Sequence, residues 1–386
     1  MRFTPLLLTV WTLYSLSLTA HAAEPPLREP GFVSIFNGRD LSGWEGEEDY
    51  WRVVDGMIEG AADRGGQSTN SWLIWRDGTL KNFHLKLKFR ILAGNSGVFY
   101  RAVDKGNFGG RGYQAEVADG PFGTGKLHHG GGKRGANADV GQFMINQQDS
   151  KGLLVGAVAD SKWLIKLPYY VPGEWSAYDI IARGNHITHF VNGIPTVEFI
   201  DRDEKDPERK RRVDEGLLGL QLHGREQMKV QFKDIRVRQF TESFQDALLL
   251  FNGKDLEGWS VPPEAGSCWN VEADGVTNPK KSDAGKLLVC DGSGESPLLW
   301  DGKPPQAFVL RFQRFCDHSE PCEGSPFRTA AGWETVEITV RGKQSRMEVN
   351  GLEQADGPPP LHDGRIALPS NVAAEYRNIV LIAFEP

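Results

Sequence analysis

The sequence predicts an all-β protein built as two β-sandwiches in tandem, the second shorter than the first. Apolar and polar residues alternate with period two in many segments, such as HLKLKFRI at 84–91, and no segment shows the period of a long amphipathic helix. The phrase FNGRDLSGW at 36–44 also recurs as FNGKDLEGW at 251–259, with seven of nine positions identical. The chain is therefore predicted to carry two related copies of one β-rich unit.

The second copy retains the scaffold phrases of the first and lacks a block of strands. GEWSAYDIIARG at 173–184 corresponds to AGWETVEITVRG at 331–342, and an Asn-Gly hairpin turn follows in each copy. Residues 90–172 separate the first long strand from this motif in copy one, whereas residues 316–330 fill the same gap in copy two. Copy two is thus predicted to be a shortened sandwich.

The N-terminus has the pattern of an export signal. Arg2 precedes the apolar stretch LLLTVWTLYSLSL, and Ala20-His21-Ala22 is an A-x-A cleavage site. A membrane anchor is the alternative, but the apolar stretch is short for a bilayer span. We expect a periplasmic or extracellular protein without a membrane span after cleavage. The predicted division of the chain is a signal peptide at 1–22, a catalytic-type jelly-roll domain at 30–240 and a shortened, non-catalytic jelly-roll domain at 246–386.

Charge and cysteine usage narrow the class of protein. The 386-residue chain has a formal net charge of −7 and no basic stripe, which argues against nucleic acid as a partner.

All four cysteines lie in copy two: Cys268, Cys290, Cys316 and Cys322. An even number of cysteines in an exported domain predicts two disulfides. A structural metal site is the weaker alternative, because the spacings between these cysteines match no zinc-binding pattern.

Alternation along three strands of copy one separates inward from outward side chains. At 97–103, for example, Val98, Tyr100 and Ala102 share one face and Arg101 lies on the other. The outward polar residues on the three strands are Arg101, Gln114, Glu116, Gln221 and His223. A curved sheet could bring them into one concavity suited to polyol binding and proton transfer. The alternative is a set of unrelated polar residues on half-exposed strands.

Comparison of the copies favours the shared site. Copy two lacks the region that holds Arg101, Gln114 and Glu116, and at the aligned strand Gln221 and His223 are replaced by Pro369 and Asn371. Joint loss of all candidates is what a single shared site would show, and simple degeneration is the other explanation. We expect copy two to be a glycan-binding or packing partner that covers an edge of copy one.

Six phrases in order resemble the 3-keto-disaccharide hydrolase domain family. They are FNGRDLSGW (36–44), NSGVFYR (95–101), GYQAEVAD (112–119), EWSAYDIIARGNHITHFVNG (174–193), LGLQLHG (218–224) and VQFKDIRV (230–237). The resemblance covers residues 32–240 and implies a concanavalin/LamG-like jelly roll that acts on glycosides oxidised at C3. The chain departs from the family pattern in the order Gln114-Ala-Glu116, in Leu222 before the late His, and in the loop at 123–141.

The implied chemistry is elimination across C1 and C2 followed by hydration, with net hydrolysis. A ketone at C3 acidifies the C2 proton, so a base can remove it and the enolate can expel the C1 substituent. We assign His223 as the base and Glu116 as the acid or the orienter of His223, with the reverse assignment open, and Arg101 and Gln221 as the oxyanion partners. The expected substrate-binding residues are Arg101, Gln114, Gln221, Asp119 and His128. A two-carboxylate glycosidase is disfavoured, because Asp119 lies only at the strand end.

The expected partner is an oligosaccharide or glycoside substrate. No cofactor is predicted; the adjacent His128 and His129 in a Gly-rich loop leave a divalent metal as an open alternative to simple solvent exposure. The alternative to an enzyme is a non-catalytic glycan-binding protein of the cell envelope, because 11 Trp residues could stack on sugars. Trp44 and Trp259 recur in both copies, which favours core packing for that pair.

Overall fold

The computed structural model describes residues 29–63, 69–120, 123–130, 138–147, 152–159, 169–203, 213–224, 227–261, 267–274, 285–315, 333–354, 359–371 and 373–385. These residues form strands joined by turns, and no helix occurs among them. The predicted all-β class is confirmed. Within these ranges, no helix is long and apolar enough to cross a bilayer.

The first sandwich contains a ten-stranded and a six-stranded sheet. Its strands are β1 (Val33–Ser34), β2 (Trp44–Glu45), β3 (Trp51–Val54), β4 (Met57–Ala62), β5 (Ser71–Leu80), β6 (Phe83–Ala93), β7 (Asn95–Gly106), β8 (Gly109–Ala118), β9 (Leu127–Gly130), β10 (Gln142–Asn146), β11 (Gly152–Ala157), β12 (Ser176–Arg183), β13 (His186–Val191), β14 (Ile194–Asp201), β15 (Gly216–Leu222) and β16 (Met228–Gln239). The large sheet has the order β11-β10-β14-β13-β12-β6-β16-β4-β3, with β1 also on β16. The small sheet has the order β2-β5-β15-β7-β8-β9.

The core of the first sandwich lies between these two sheets. Alternate residues of β6, including Leu85 and Phe89, are fully buried against the inward residues of the six-stranded sheet, such as Val98, Tyr113 and Leu220. Each fully buried side chain of this size contributes about 1.5–3 kcal/mol. The alternation of β8 therefore turns its other residues, Gln114 and Glu116 among them, onto the outer face of the six-stranded sheet.

The second sandwich has a nine-stranded and a four-stranded sheet. Its strands are β17 (Ser243–Phe244), β18 (Leu248–Leu249), β19 (Trp259–Ser260), β20 (Trp269–Ala273), β21 (Lys286–Asp291), β22 (Leu298–Trp300), β23 (Ala307–Phe315), β24 (Trp333–Arg341), β25 (Gln344–Val349), β26 (Leu352–Glu353), β27 (Leu361–His362), β28 (Arg365–Leu368) and β29 (Ala373–Glu385). The nine-stranded sheet has the order β20-β21-β29-β23-β24-β25-β26, with β17 and β18 also on β29; the smaller sheet has the order β19-β22-β28-β27.

The repeated phrase forms the same turn in both sandwiches. The Asn37 carboxamide oxygen accepts the amide hydrogens of Arg39 and Asp40 at 2.7 and 3.0 Å, and the matching Asn252 oxygen accepts those of Lys254 and Asp255 at 2.8 and 3.1 Å. Such Asx turns fix a tight chain reversal without a Gly at each position.

The two tryptophans of the phrase are core residues, as predicted. Trp44 donates its indole hydrogen to the Ile35 carbonyl at 2.7 Å, and Trp259 donates its own to the Leu250 carbonyl at 2.8 Å. Both side chains are buried, so their recurrence reflects packing.

The second sandwich contains one of the predicted disulfides. Cys268 and Cys290 are bonded to each other across β20 and β21. These cysteines therefore form a covalent link where the weaker alternative placed a metal site. Cys316 and Cys322 lie outside the described residues.

The sandwiches pack through their larger sheets. An apolar cluster joins Phe143 and Ile200 of the ten-stranded sheet to Val309, Val380 and Ile382 of the nine-stranded sheet. Second-sandwich side chains also bond to carbonyls near edge strand β11, since Asn378 donates to Ala157 at 2.7 Å and Gln313 donates to Val158 at 2.8 Å. The outer face of the six-stranded sheet is on the opposite side of the first sandwich from this interface.

A buried polar cluster crosses the same interface. Both terminal nitrogens of Arg183 on β12 donate hydrogen bonds to the carboxylate of Glu337 on β24, at 2.8 and 2.7 Å. Arg311 of β23 lies 3.5 Å from Glu198 of β14, which also contacts His186 at 2.8 Å. Opposite charges from the two sandwiches thus meet out of water, where each needs its partner.

Candidate active site on the six-stranded sheet

The cross-strand register of the six-stranded sheet brings the outward polar residues together. Gln114 pairs with Phe99 and Glu116 with Gly97 across β7 and β8. Gln221 on β15 pairs with Trp72 on β5. Because residues two apart share one face of a strand, these side chains lie in two neighbouring rows on the outer face.

Glu116 is the centre of the polar group. Its Oε1 accepts a hydrogen bond from the Asn95 carboxamide, and its Oε2 accepts one from Gln114 Nε2 at 2.9 Å. The ring of His128, on the neighbouring strand β9, places Nε2 at 3.7 Å from Glu116 Oε2. The carboxyl is 8% exposed, so it is nearly out of water while still at the surface of the sheet.

Burial changes the acidity of this carboxyl. Desolvation raises the pKa of Glu116 to about 7, against a partial lowering by the Asn95 hydrogen bond and the charge of Lys126. Both protonation states are thus populated near neutral pH. A group in that condition can accept and return a proton in one catalytic cycle.

His128 belongs to a strand, where the sequence predicted a Gly-rich loop. Strand β9 pairs with β8 so that His128 lies opposite Gln114. Its ring is half-buried, and burial together with the positive charge of Lys126 lowers its pKa. The imidazole beside Glu116 is therefore neutral at neutral pH, and its side chain is on the site face rather than free in solvent.

Gln114 and Gln221 are joined directly. Gln114 Nε2 donates to Gln221 Oε1 at 3.1 Å in addition to its bond with Glu116. Among the described residues, the carboxyl of Glu116 is thus flanked by the carboxamides of Asn95, Gln114 and Gln221.

An aromatic cluster borders the polar group. Trp72 and Phe99 have ring centroids 3.9 Å apart and are buried together with Ile74 and Ala102. The β7–β8 hairpin folds over this cluster, since the Phe108 carbonyl accepts the Trp72 amide hydrogen at 2.7 Å. The cluster is an apolar wall beside Gln221.

Arg101 is not on this face, and the alternation predicted for β7 is wrong from that residue onward. Its backbone has φ of 46°, and the β7–β8 register shifts between Tyr100 and Val103. The guanidinium is fully buried and donates to the carbonyls of Lys81, at 2.8 and 2.5 Å, and Gly184, at 2.7 Å. A bulge adds one residue and reverses the faces beyond it, so Ala102 joins the outer cluster.

His223 and Asp119 lie at strand ends. His223 is half-buried and directly follows β15, two residues after Gln221. The Asp119 carboxylate accepts the amide hydrogen of Gly94 at 2.8 Å, which closes the turn before β7. Substrate contact by either residue remains a prediction.

Asn95 also belongs to the polar group, although it is not among the residues predicted from the sequence. It is the first residue of β7, and its partner on β8 is Ala118. Residues 95, 97 and 99 share one face of β7, so the period-two alternation of this strand could have predicted that Asn95 lies on the outer face. Asn95 was left out of the prediction because it follows Gly94 directly, at the boundary between a turn and the strand.

The group can carry out proton transfer beside a stabilised oxyanion. Glu116 can exchange a proton near neutral pH, and the carboxamide hydrogens can bind a developing negative charge on oxygen. All members of the group are on adjacent strands, which holds them in fixed geometry without loops.

Three known proteins are similar to parts of this chain. A 3-keto-disaccharide hydrolase of Bacteroides thetaiotaomicron is 31% identical over 103 residues, which span 24% of this chain and 35% of that protein. A crystal structure of a candidate glycosyl hydrolase from Parabacteroides distasonis is similar with 22% identity and a TM-score of 0.35, covering 54% of this chain and 99% of its own. A carbohydrate-binding module from Bacillus subtilis is similar with 13% identity and a TM-score of 0.33, covering 51% and 96%.

A family model also matches the first sandwich. The model of the 3-keto-alpha-glucoside-1,2-lyase-like domain matches residues 31–238, more than half of the chain. This range includes both sheets of the first sandwich and every residue of the polar group described above. The chain therefore belongs to the family of 3-keto-alpha-glucoside-1,2-lyase-like domains.

Proposed function

We propose that the first sandwich cleaves the glycosidic bond of sugars that carry a ketone at C3. The observation that carries this proposal is Glu116, a buried carboxyl bonded to neutral amides, with a pKa raised to about 7, on the outer face of the six-stranded sheet. Family membership supports the substrate class, as does the partial relative named 3-keto-disaccharide hydrolase.

The first half of the reaction is elimination. The Glu116 carboxylate removes the proton at C2, and the electron pair moves to the C3 oxygen as an enolate. Gln221 donates a hydrogen bond to that oxygen, which stabilises its negative charge. The enolate then re-forms the ketone and expels the oxygen at C1, which takes the proton from Glu116. The products are the free alcohol and an enone with a C1–C2 double bond.

The second half is hydration of the enone. Glu116, again a carboxylate, takes a proton from water as the water oxygen bonds to C1. The resulting enolate at C2 and C3 receives that proton at C2, which yields the free 3-keto sugar. One carboxyl with a pKa near 7 can serve both halves, because it is a competent base and a competent acid at the same pH.

This assignment gives Glu116 the base role that was first assigned to His223, and it leaves His223 without a part in proton transfer. The surroundings of Glu116 supply a reason for the change, since burial poises its protonation and amides hold both of its oxygens. His128, Asp119 and His223 are proposed as contacts to the sugar hydroxyls. The export pattern at 1–22 places the reaction in the periplasm or outside the cell in this proposal.

The test is incubation of the full chain with methyl 3-keto-glucoside and with methyl glucoside, each as both anomers. We expect methanol release, followed by NMR, from a 3-keto compound and from neither parent glucoside. Equal release from keto and parent compounds would indicate an ordinary glycosidase. Sugar binding without release from any compound would contradict the proposal and favour the glycan-binding alternative.

A further inference from the structure

The three carboxamides around Glu116 form an ordered hydrogen-bond chain. Asn95 donates to Oε1 of Glu116, Gln114 donates to Oε2 at 2.9 Å, and the same Gln114 nitrogen donates to Gln221 Oε1 at 3.1 Å. Both hydrogens of the Gln114 amide group are therefore used. The side chains of Gln114 and Gln221 are buried, so these bonds are not exchanged freely with water.

The chemistry of the carboxylate sets the direction of this chain. An ionised carboxyl only accepts hydrogen bonds, so the nitrogen ends of Asn95 and Gln114 must face it. With its nitrogen so placed, Gln114 can bond to Gln221 only through the oxygen of Gln221. The amide nitrogen of Gln221 is consequently directed away, and within the described ranges no acceptor bonds to it.

Gln114 is held in this position by the absence of a side chain at Gly97. A Cβ at Gly97 would lie 2.5 Å from Gln114 Nε2 and 2.7 Å from its Cγ. Gln114 thus crosses the sheet over Gly97, which pairs with Glu116 across the two strands. Glycine at this point permits the close approach that the hydrogen-bond chain requires.

We infer that Asn95 and Gln114 are positioning residues that orient Glu116 and turn the amide nitrogen of Gln221 toward the ketone oxygen of the substrate. This inference rests on the proposed function and adds roles to it. Gln114, expected from the sequence to touch substrate, acts through its two neighbours. Asn95 holds the other carboxyl oxygen, so Glu116 cannot rotate away from the C2 proton.

The two residues also set the balance between the protonation states of Glu116. The Asn95 hydrogen bond lowers the pKa of Glu116 against the desolvation that raises it, and a donor at Gln114 stabilises the ionised form in the same sense. Loss of a donor should therefore raise that pKa further. This effect is measurable in the protein alone, without substrate.

The experiment compares Gln114→Glu, Asn95→Ala and the control Gln306→Glu, which makes the same chemical change at an exposed position of the second sandwich. Carboxyl-carbon NMR of labelled protein, assigned with Glu116→Gln, gives the pKa of Glu116. We expect a rise of about one unit in Asn95→Ala and more in Gln114→Glu, because the latter adds a second carboxyl. Gln306→Glu should leave that pKa unchanged.

Kinetics supply the second readout. In Gln114→Glu, Gln221 has a carboxylate as its neighbour and should rotate its nitrogen toward it, which presents oxygen to the substrate. We expect kcat to fall about 10²-fold with KM changed far less, since the lost bond forms in the transition state. The rising limb of the pH–rate profile should move to higher pH in Asn95→Ala.

The outcomes separate this inference from the proposed function. If the wild-type chain releases nothing from keto glycosides while the variants change the pKa of Glu116 as expected, the positioning of Glu116 is supported and the proposed cleavage reaction is rejected. If Asn95→Ala and Gln114→Glu remain folded, as shown by thermal unfolding, and both leave the Glu116 pKa unchanged, the inference is overturned. Because Asn95 is only half-buried, Asn95→Ala serves even where Gln114→Glu does not fold.

Discussion

Glu116 and Glu337 are equally buried, each with 8% exposure, yet their pKa values move in opposite directions. Desolvation raises the pKa of Glu116 to about 7, because its bonded partners are neutral carboxamides. At Glu337 the charges and hydrogen bonds of Arg183 and the charge of Arg311 outweigh desolvation and lower the pKa to about 2. Burial alone thus decides neither value; the partners do.

The contrast separates the two faces of the first sandwich. On the interface side, charged pairs lower the pKa values of Glu198 and Glu337, which suits a permanent contact between sandwiches. On the outer side, amides align a carboxyl without neutralising it, which suits proton transfer. The second sandwich therefore covers one sheet with ion pairs and leaves the opposite sheet to carry the site.

The largest expected effect on stability is at the interface. Arg183→Ala leaves Glu337 buried without its bidentate partner, and we expect a loss of about 3–5 kcal/mol in the free energy of unfolding. Urea denaturation at pH 7 measures it. The control is Arg346→Ala, which breaks exposed pairs with Glu348 and Glu353 and should cost less than about 1 kcal/mol.

A double variant sharpens this prediction. Arg183→Ala with Glu337→Gln removes both charges, so most of the loss should be recovered. Equal losses in Arg183→Ala and Arg346→Ala would mean that the interface carboxyl is not held as described.

The pH dependence of stability should show the two carboxyls acting in opposite directions. The pKa of Glu116 is raised on folding from 4.5 to about 7, so its contribution to stability is lost as the pH rises through that window. The pKa of Glu337 is lowered from 4.5 to about 2, so its contribution is present above 4.5 and is lost as the pH falls. The shift at Glu116 corresponds to about 3 kcal/mol at most.

Glu116→Gln isolates the first of these effects. Relative to wild type, this variant should gain up to about 3 kcal/mol of stability between pH 5 and pH 8, because its amide does not titrate. The cost of mispairing one amide donor applies at both pH values and cancels from this difference. Urea denaturation of both proteins at the two pH values provides the comparison. Parallel pH dependence in the two proteins would show that Glu116 ionises as an ordinary carboxyl.

The sequence predicted which face of the sheet a side chain occupies wherever the alternation of a strand was unbroken. Gln114 and Glu116 on β8 and Gln221 on β15 were predicted on one face, and the register brings them together. Alternation failed on β7, because a bulge with positive φ at Arg101 turns that guanidinium to backbone carbonyls. A non-glycine residue in this conformation has no marker in the sequence.

The alternation of single strands also could not predict how the two sandwiches pack against each other. The expected contact between the sandwiches was an edge, and second-sandwich side chains do bond at edge strand β11. The apolar cluster that joins the outer faces of the two large sheets was not expected. The ion pairs that cross this interface, such as Arg183 with Glu337, connect residues far apart in the chain. Alternation shows that such residues face outward and does not identify the surface they meet.

The most direct test of the central claim is proton exchange at C2 of a methyl 3-keto-glucoside in deuterated water. If Glu116 removes the C2 proton, the released 3-keto sugar should carry deuterium at C2, and Glu116→Gln should slow both incorporation and methanol release by about 10³-fold. Samples without protein correct for spontaneous exchange. Release at the wild-type rate by Glu116→Gln, or a product that retains its original hydrogen at C2, would contradict the account.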